Sequence, residues 1–300
     1  MRANARYYLG RVVKIGKLTE ELLIDSILHP AVISKNKYRY TFTNIKVFGS
    51  QGSINGIFAR LSKYKPEASV KVVRPEEHEI DDENVENLTE ASSPFVYLPE
   101  FSGIAYQHVW NHLQREQFPR LFADLVVSKH QGFFLACEVD PVTDMRTFVT
   151  RLARLELITS LRASVRPPNP LFGPCWKSLR DYIKKRQLDE VIVREDSQKG
   201  INTSVTEIAQ QIIAEPSSVD DISALMEPLM GGIGDAALLM AADGYGRAKV
   251  EGQEARRTIV IRTSDNQKSF PFKKEPDPEE LLHTAYDEFK RISDERYLEH

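Results

Sequence analysis

The sequence has little cysteine, little tryptophan and no long apolar run. Its two cysteines among 300 residues, Cys137 and Cys175, form no Cys-x-x-Cys pair. That excludes a disulfide framework and a thiolate zinc site. Both are expected to be buried, inert thiols in a reducing compartment. The longest weakly polar stretch, 229–242, is interrupted by Asp235 and falls short of the roughly 20 residues of a membrane helix. The opening MRANARYYLGRVVKIG is basic but has no apolar h-region, so no secretory signal is read there. A cytoplasmic location with no membrane span is the expectation. Leu298-Glu299-His300 reads as a cloning-site and tag remnant and carries no argument.

What is present describes a folded chain: 41% hydrophobic and 28% charged residues exclude disorder and collagen. The length suits one large domain or two ordinary ones. The net charge of -3 hides strong segregation. Residues 1–75 carry 14 Lys/Arg against 4 Asp/Glu, and residues 76–100 carry 9 acids and no base. Residues 146–186 carry 10 Lys/Arg against 2 acids, and 187–300 carry 13 against 23. Such blocks point to a polyanion partner or to internal pairing between them.

Periodicity places the elements. Residues 6–15 read as a strand and 18–28 as a short helix capped by Thr19. Over 37–48, Tyr38, Tyr40 and Phe42 alternate with Lys37, Arg39, Thr41 and Thr43, a strand pattern. Gly49–Gly52 is a turn, 54–64 the return strand of a hairpin, and 70–73 a further strand. The acidic stretch from residue 76 reads as a solvated loop or linker. A helix is expected from Pro119 to Lys129, a strand over 133–139, a helix over 143–154 and a strand over 156–165. A helix over 174–187 and a strand over 190–193 would complete a βαβ candidate, right-handed if its strands are parallel. Residues 218–242 read as largely helical, and 245–250 with 258–262 as a hairpin around Gly252. The clearest helix is 277–292, capped by Asp277, with Leu282, Ala285, Phe289 and Ile292 in a stripe.

Strands and helices do not alternate strictly, so the expected class is α+β. The expected organisation is a β-rich N-terminal module with an antiparallel hairpin over 1–75, an acidic linker over 76–92, and a larger mixed domain over 93–297.

Three short motifs carry a resemblance: Ile54-Asn55-Gly56-Ile57-Phe58-Ala59-Arg60, the run Leu161–Pro170, and Ala242-Asp243-Gly244-Tyr245-Gly246. In this order the chain resembles uncharacterised bacterial proteins, domains of unknown function found beside prophages and in antiphage defence islands. The resemblance implies a bacterial cytosolic protein with a defence role. It transfers no catalytic residue.

No motif fixes a reaction. His108, His112 and Glu116 would share a face if helical, the geometry of a zinc site, but Val109 stands where a zincin needs its glutamate. Glu138 and Asp140 on a strand end, with Asp124 upstream, are candidates for Mg²⁺-dependent phosphodiester hydrolysis. Asp140 occupies the place of the lysine that pattern wants. Gly231-Gly232-Ile233-Gly234 precedes a helix but lacks the Gly-Lys-Ser/Thr of a phosphate loop, and Asp235 would repel an anion. Two stripes remain on 174–187: Trp176, Leu179 and Ile183, expected in the core, and Lys177, Arg180 and Lys184 beside them.

The stronger signal is basic residues among aromatics at 37–65, where cations neutralise phosphate and aromatic faces stack bases. The leading reading is a non-catalytic nucleic-acid-binding component of a defence or mobile-element system. Its candidate contacts are Lys37, Arg39, Arg60, Lys63, Arg166, Lys184 and Lys185. The alternatives are a metal-dependent nuclease or related hydrolase, and a protein-interaction subunit of a defence complex. No cofactor or metal is assigned. The partner is a nucleic acid or a protein, and the sequence does not fix the oligomeric state.

Overall fold

The computed structural model describes residues 4–50, 53–76, 78–130, 134–166, 188–204 and 232–296, with positions 179, 182, 183, 185 and 186 between them. The fold is α+β, with two antiparallel sheets. The larger sheet uses β1 (Asn4–Gly16), β2 (Ile33–Lys35), β3 (Tyr38–Ser50), β4 (Ser53–Arg74), β5 (Glu79–Leu98), β6 (Gly103–Gln107), β7 (Leu135–Pro141) and β12 (Ser269–Lys273). Its order is β12-β1-β6-β5-β4-β3-β2, with β7 also paired to β1. Asn4–Tyr8 of β1 pair with β12, and Gly10–Gly16 pair with β7. The Leu9 N–H donates to the Lys268 carbonyl and the Val142 N–H donates to the Leu9 carbonyl. One edge of β1 therefore serves two strands in succession.

Alternation in these strands gives the sheet two buried faces. On one face Phe42, Phe95 and Ile57 pack under α1 (Glu20–Leu28) and α2 (Gln117–Lys129), which contribute Leu23, Phe118 and Phe122. Thr19 caps α1, accepting from the Leu22 N–H, as its position predicts. On the other face Phe58, Val96 and Ala105 meet the C-terminal helix α5 (Pro278–Arg296). Its expected stripe of Leu282, Ala285, Phe289 and Ile292 is buried, and Asp277 accepts the N–H groups of Glu279 and Glu280. Gly103 makes the fit possible: a Cβ there would lie 2.7 Å from the Phe289 ring. Burying Phe289 contributes about 1.5–3 kcal/mol.

The smaller sheet has the order β11-β10-β8-β9. It comprises β8 (Leu157–Val165), β9 (Val191–Asp196), β10 (Gly246–Glu254) and β11 (Arg257–Arg262). Its core is completed by α3 (Met145–Leu152) and α4 (Ile233–Ala242), whose Ala236–Ala242 are all buried. β8 and β9 pair antiparallel, Leu161 opposite Glu195 and Ala163 opposite Val193. The parallel βαβ alternative does not arise. The β10–β11 turn falls at Ala255-Arg256, both with positive φ, as a two-residue hairpin of type I′ demands. Gly252, the expected turn, instead sits beside a register shift within β10. Most of the expected helix 174–187, Cys175 and the first part of 218–242 lie outside the described residues, while Leu179 and Ile183 are buried.

The expected loop over the acidic stretch is corrected as well. The acidic stretch is strand: β5 starts at Glu79 and pairs with β4 from Arg74 back to Ile57. The return strand of the first hairpin likewise runs on through 70–73. The cause lies in the partner. Arg74 pairs with Asp81 at 2.6 Å and Lys65 pairs with Glu90, while Ala68 faces Val85. Acids that look uncompensated along the chain are partly compensated across the ladder. The larger sheet takes strands from 4–107, 135–141 and 269–273, on both sides of this segment.

Candidate nucleic-acid interface

The β2–β3 hairpin turns through Asn36-Lys37, with Asn36 at φ 56° and Lys35 opposite Tyr38. This presents Lys37 at a loop tip. Beyond it Tyr40 and Phe42 point into the core. Tyr38, on the same face, reaches only the core's margin and stays half-buried. On β4, Lys63 stands opposite Tyr40 and is itself buried, 9% exposed, with its ammonium against the Tyr38 ring. The Lys63 Nζ lies 3.9 Å from the Tyr38 ring centroid, with Lys37 Nζ at 5.4 Å and Lys65 Nζ at 6.0 Å. Each contact is an ammonium–π attraction.

One of the three cations has a carboxylate partner. That partner is Glu90, which pairs with Lys65. The Lys65 hydrogen bond holds the Glu90 carboxyl below the usual carboxylate range, and Glu90 in turn raises the Lys65 ammonium. Arg39 is exposed on the opposite face of β3, across from Tyr64. Among the described residues, no ion pair engages Lys37, Arg39 or Lys63. The cluster is an excess of positive charge held on a rigid sheet edge.

The other candidate cations lie elsewhere. Arg60 donates to Glu275 at 2.7 Å. Arg166 meets Glu138 at 2.6 Å and Glu190 at 3.7 Å. Lys185 is exposed, and Lys184 lies outside the described residues. Arg60 and Arg166 therefore spend their charge on the protein's own carboxylates.

The proposed metal sets are not assembled. His108 and His112 flank a tight bridge between Val109 and Leu113, not a helix. His108 Nδ1 accepts from the Arg115 N–H. Asp124 pairs with Lys35. Glu138 and Asp140 share the β7 face away from Cys137 and Val139, and there they meet arginines of the smaller sheet. The Arg247 Nε donates to Asp140 at 2.8 Å and its Nη2 lies 3.9 Å from Glu138. Burial raises the Asp140 carboxyl above the ordinary range despite that partner. No group of three His, Cys, Asp or Glu side chains suited to a metal occurs among the described residues. At the start of α4, Asp235 accepts from the Thr203 hydroxyl at 2.6 Å and the Ser204 N–H at 2.9 Å. A Cβ on Gly234 would meet Glu195, so two carboxylates border that helix end. Cys137 is buried as expected, and burial pushes its thiol far up.

A cleft of about 270 Å³ opens between α2, β7 and the smaller sheet. Its charged walls are Arg115, Arg120, Arg247, Glu116 and Asp265. Arg115 pairs with Glu116 at 2.5 Å and Asp265 accepts from the Arg262 N–H, so the cleft is mixed in sign.

Sequence reasoning missed Arg11, a buried cation. Its Nη1 donates to the Phe101 carbonyl at 2.6 Å and its Nε to the Asp243 carbonyl at 3.2 Å. The guanidinium lies 5.1 Å from the Tyr245 ring and 5.6 Å from that of Phe289. Gly244, at φ 88°, passes so close that a Cβ would lie 2.7 Å from the Arg11 side chain. The Ala242–Gly246 motif is thus a clamp that closes the α4–β10 turn over β1. Lys65 lies in the basic stretch 37–65 but not among the candidate contacts, although its spacing of two from Lys63 is a usable strand signal for the same cluster.

Residues 22–215 match the DUF4747 family, a domain of unknown function. The chain belongs to that family. The match contains the whole Tyr38 cluster, Lys37 to Glu90, and extends past β9. No curated protein matches the chain.

Proposed function

We propose that this DUF4747 protein is a non-catalytic nucleic-acid-binding protein whose phosphate contacts are Lys37, Arg39, Lys63 and Lys65. The observation that carries the reading is the convergence of three ammonium groups on Tyr38, of which one, Lys65, has a carboxylate partner. Like charges held this close repel, and a phosphate placed among them relieves the repulsion and releases counterions. Backbone contact of this kind positions a polyanion without reading its sequence. The setting implied by the sequence resemblance, a bacterial defence or mobile-element system acting in the cytoplasm, would supply such a ligand. The nuclease alternative gains little from Glu138 and Asp140, because each already faces a guanidinium.

The test is fluorescence anisotropy of the full chain with labelled single-stranded and duplex oligonucleotides at about 50 mM salt, where phosphate contacts are strongest. Binding of either, independent of sequence and without cleavage in the presence of Mg²⁺, supports the reading. No binding of either ends it, and a cleaved product replaces it with the nuclease alternative.

A further inference from the structure

Strands β4 and β5 run on well beyond the sheet they belong to. The last β3 partner of β4 is Tyr64, and β6 pairs with β5 only from Phe95. Over Lys65–Arg74 and Glu79–Leu88 the two strands pair only with each other among the described residues. About ten residues per strand at about 3.4 Å each make an arm some 30 Å long. A two-stranded ribbon is marginal alone in water, and its open edges are templates for another strand.

The two edges differ. Over Lys65–Arg74, β4 offers Pro66, which has no donor, and the cations Lys65, Lys71 and Arg74. Over Glu79–Glu86, β5 has no proline and carries Glu79, Asp81, Asp82, Glu83 and Glu86. Only Asp81 of these is ion-paired among the described residues, to Arg74. Glu67 and Glu86 stand directly opposite one another and both are exposed, a cross-strand like-charge pair that costs stability. Near the tip, Val73 and Ile80 also face each other, each 65% exposed. A strand carrying cations and apolar residues would compensate both defects at once.

We propose that the outer edge of β5, over Glu79–Glu86, receives an extended lysine- or arginine-rich segment of a partner protein by strand addition. Main-chain hydrogen bonds supply the docking, and side chains on alternate faces supply the selection. Cations on one face meet Glu79 and Glu83; those on the other meet Asp82 and the Glu67–Glu86 pair, beside Val73 and Ile80. This surface is acidic and separate from the Tyr38 cluster, so it stands or falls independently of nucleic-acid binding.

The probe is a fluorescein-labelled heptapeptide, Lys-Lys-Val-Val-Val-Lys-Lys, which carries lysines and valine on both faces of an extended strand, added to the full chain. The control is the same peptide with its central valine replaced by proline, which keeps the charge and cannot complete the ladder. The expected result is binding of the first peptide, with amide hydrogen exchange slowed over 79–86. In E83K/E86K, checked for no loss of melting temperature, binding weakens by about tenfold or more, the scale of one lost charge-assisted hydrogen bond. Four results would overturn the proposal. The lysine–valine peptide fails to bind; it binds E83K/E86K undiminished; the proline peptide binds equally well; or the free protein dimerises with 79–86 protected, making a second copy the occupant.

Discussion

The two basic blocks of this chain, 1–75 and 146–186, have similar charge on paper, and the fold uses them differently. In the second block, Arg166 faces β7, whose alternation turns Glu138 and Asp140 toward the smaller sheet. Arg247, from a later and acidic stretch, joins the same pairing. In the first block Arg60 is likewise engaged, but Lys37, Arg39 and Lys63 have no ion-pair partner among the described residues; Lys37 and Lys63 gather at Tyr38, and Arg39 is exposed on the opposite face of β3. A block's net charge therefore says little about a surface. What decides is whether the strand that packs opposite brings carboxylates. Arg11, Arg60 and Arg166 are read as structural and the Tyr38 group with Arg39 as functional, and each variant below tests one side of that division.

The largest effect is expected at Arg11. Arg11→Ala removes two hydrogen bonds from a buried guanidinium and empties the clamp made by Asp243, Gly244 and Tyr245. It should cost about 3–5 kcal/mol in urea unfolding, the range for disrupting a buried charged contact. A loss below about 1 kcal/mol, typical of surface changes, would show that the clamp does not hold the two sheets' elements together.

Arg166→Glu comes next. It places a third carboxylate beside Glu138 and Glu190 and should cost about 1–3 kcal/mol, as for other broken buried polar contacts. Oligonucleotide affinity at low salt should not change. A fall in affinity with stability intact would move Arg166 to the functional side.

Asp140 sharpens the structural side through pH. Burial raises its folded-state value, so the folded protein holds that proton longer than the unfolded chain. No penalty exists below the ordinary aspartate range near about pH 4. The penalty grows as pH rises from there to the raised value and is constant above it. The stability of the parent protein relative to Asp140→Asn should fall with rising pH over that window in thermal melts. A rise would mean that Arg247 dominates burial at this site.

The smallest stability effect is expected from Lys37→Glu/Arg39→Glu. Both side chains are exposed and without ion pairs among the described residues, so unfolding free energy should shift by less than about 0.5 kcal/mol. A larger loss would make these residues structural and dissolve the comparison.

Much of the fold was legible from local pattern. The stripe of Leu282, Ala285, Phe289 and Ile292, the cap at Thr19 and the alternation at Tyr38–Phe42 each carried their own signal. Residues 76–92 did not, because a run of acids reads as solvated loop unless it is set against the basic strand just before it, whose Arg74 and Lys65 pair with Asp81 and Glu90. The antiparallel β8–β9 pairing was non-local. For the site, Lys37, Arg39 and Lys63 followed from composition, but the neutralisation of Arg60 by Glu275 and of Arg166 by Glu138 depends on chain segments far apart. Arg11 was invisible because one arginine in an apolar strand looks like an edge residue until the turn at Gly244 folds over it.

The most direct test of the division is the salt dependence of oligonucleotide affinity, from about 50 to 200 mM, for the parent protein and two variants. Each lost phosphate contact lowers the log–log slope by about 0.7 for a single strand or 0.9 for duplex DNA. Lys37→Glu/Arg39→Glu should therefore reduce the slope by about two contacts' worth, and Arg166→Glu should leave it where it was. Equal slopes for the parent and the Lys37/Arg39 variant, or a reduced slope for Arg166→Glu alone, would contradict the account.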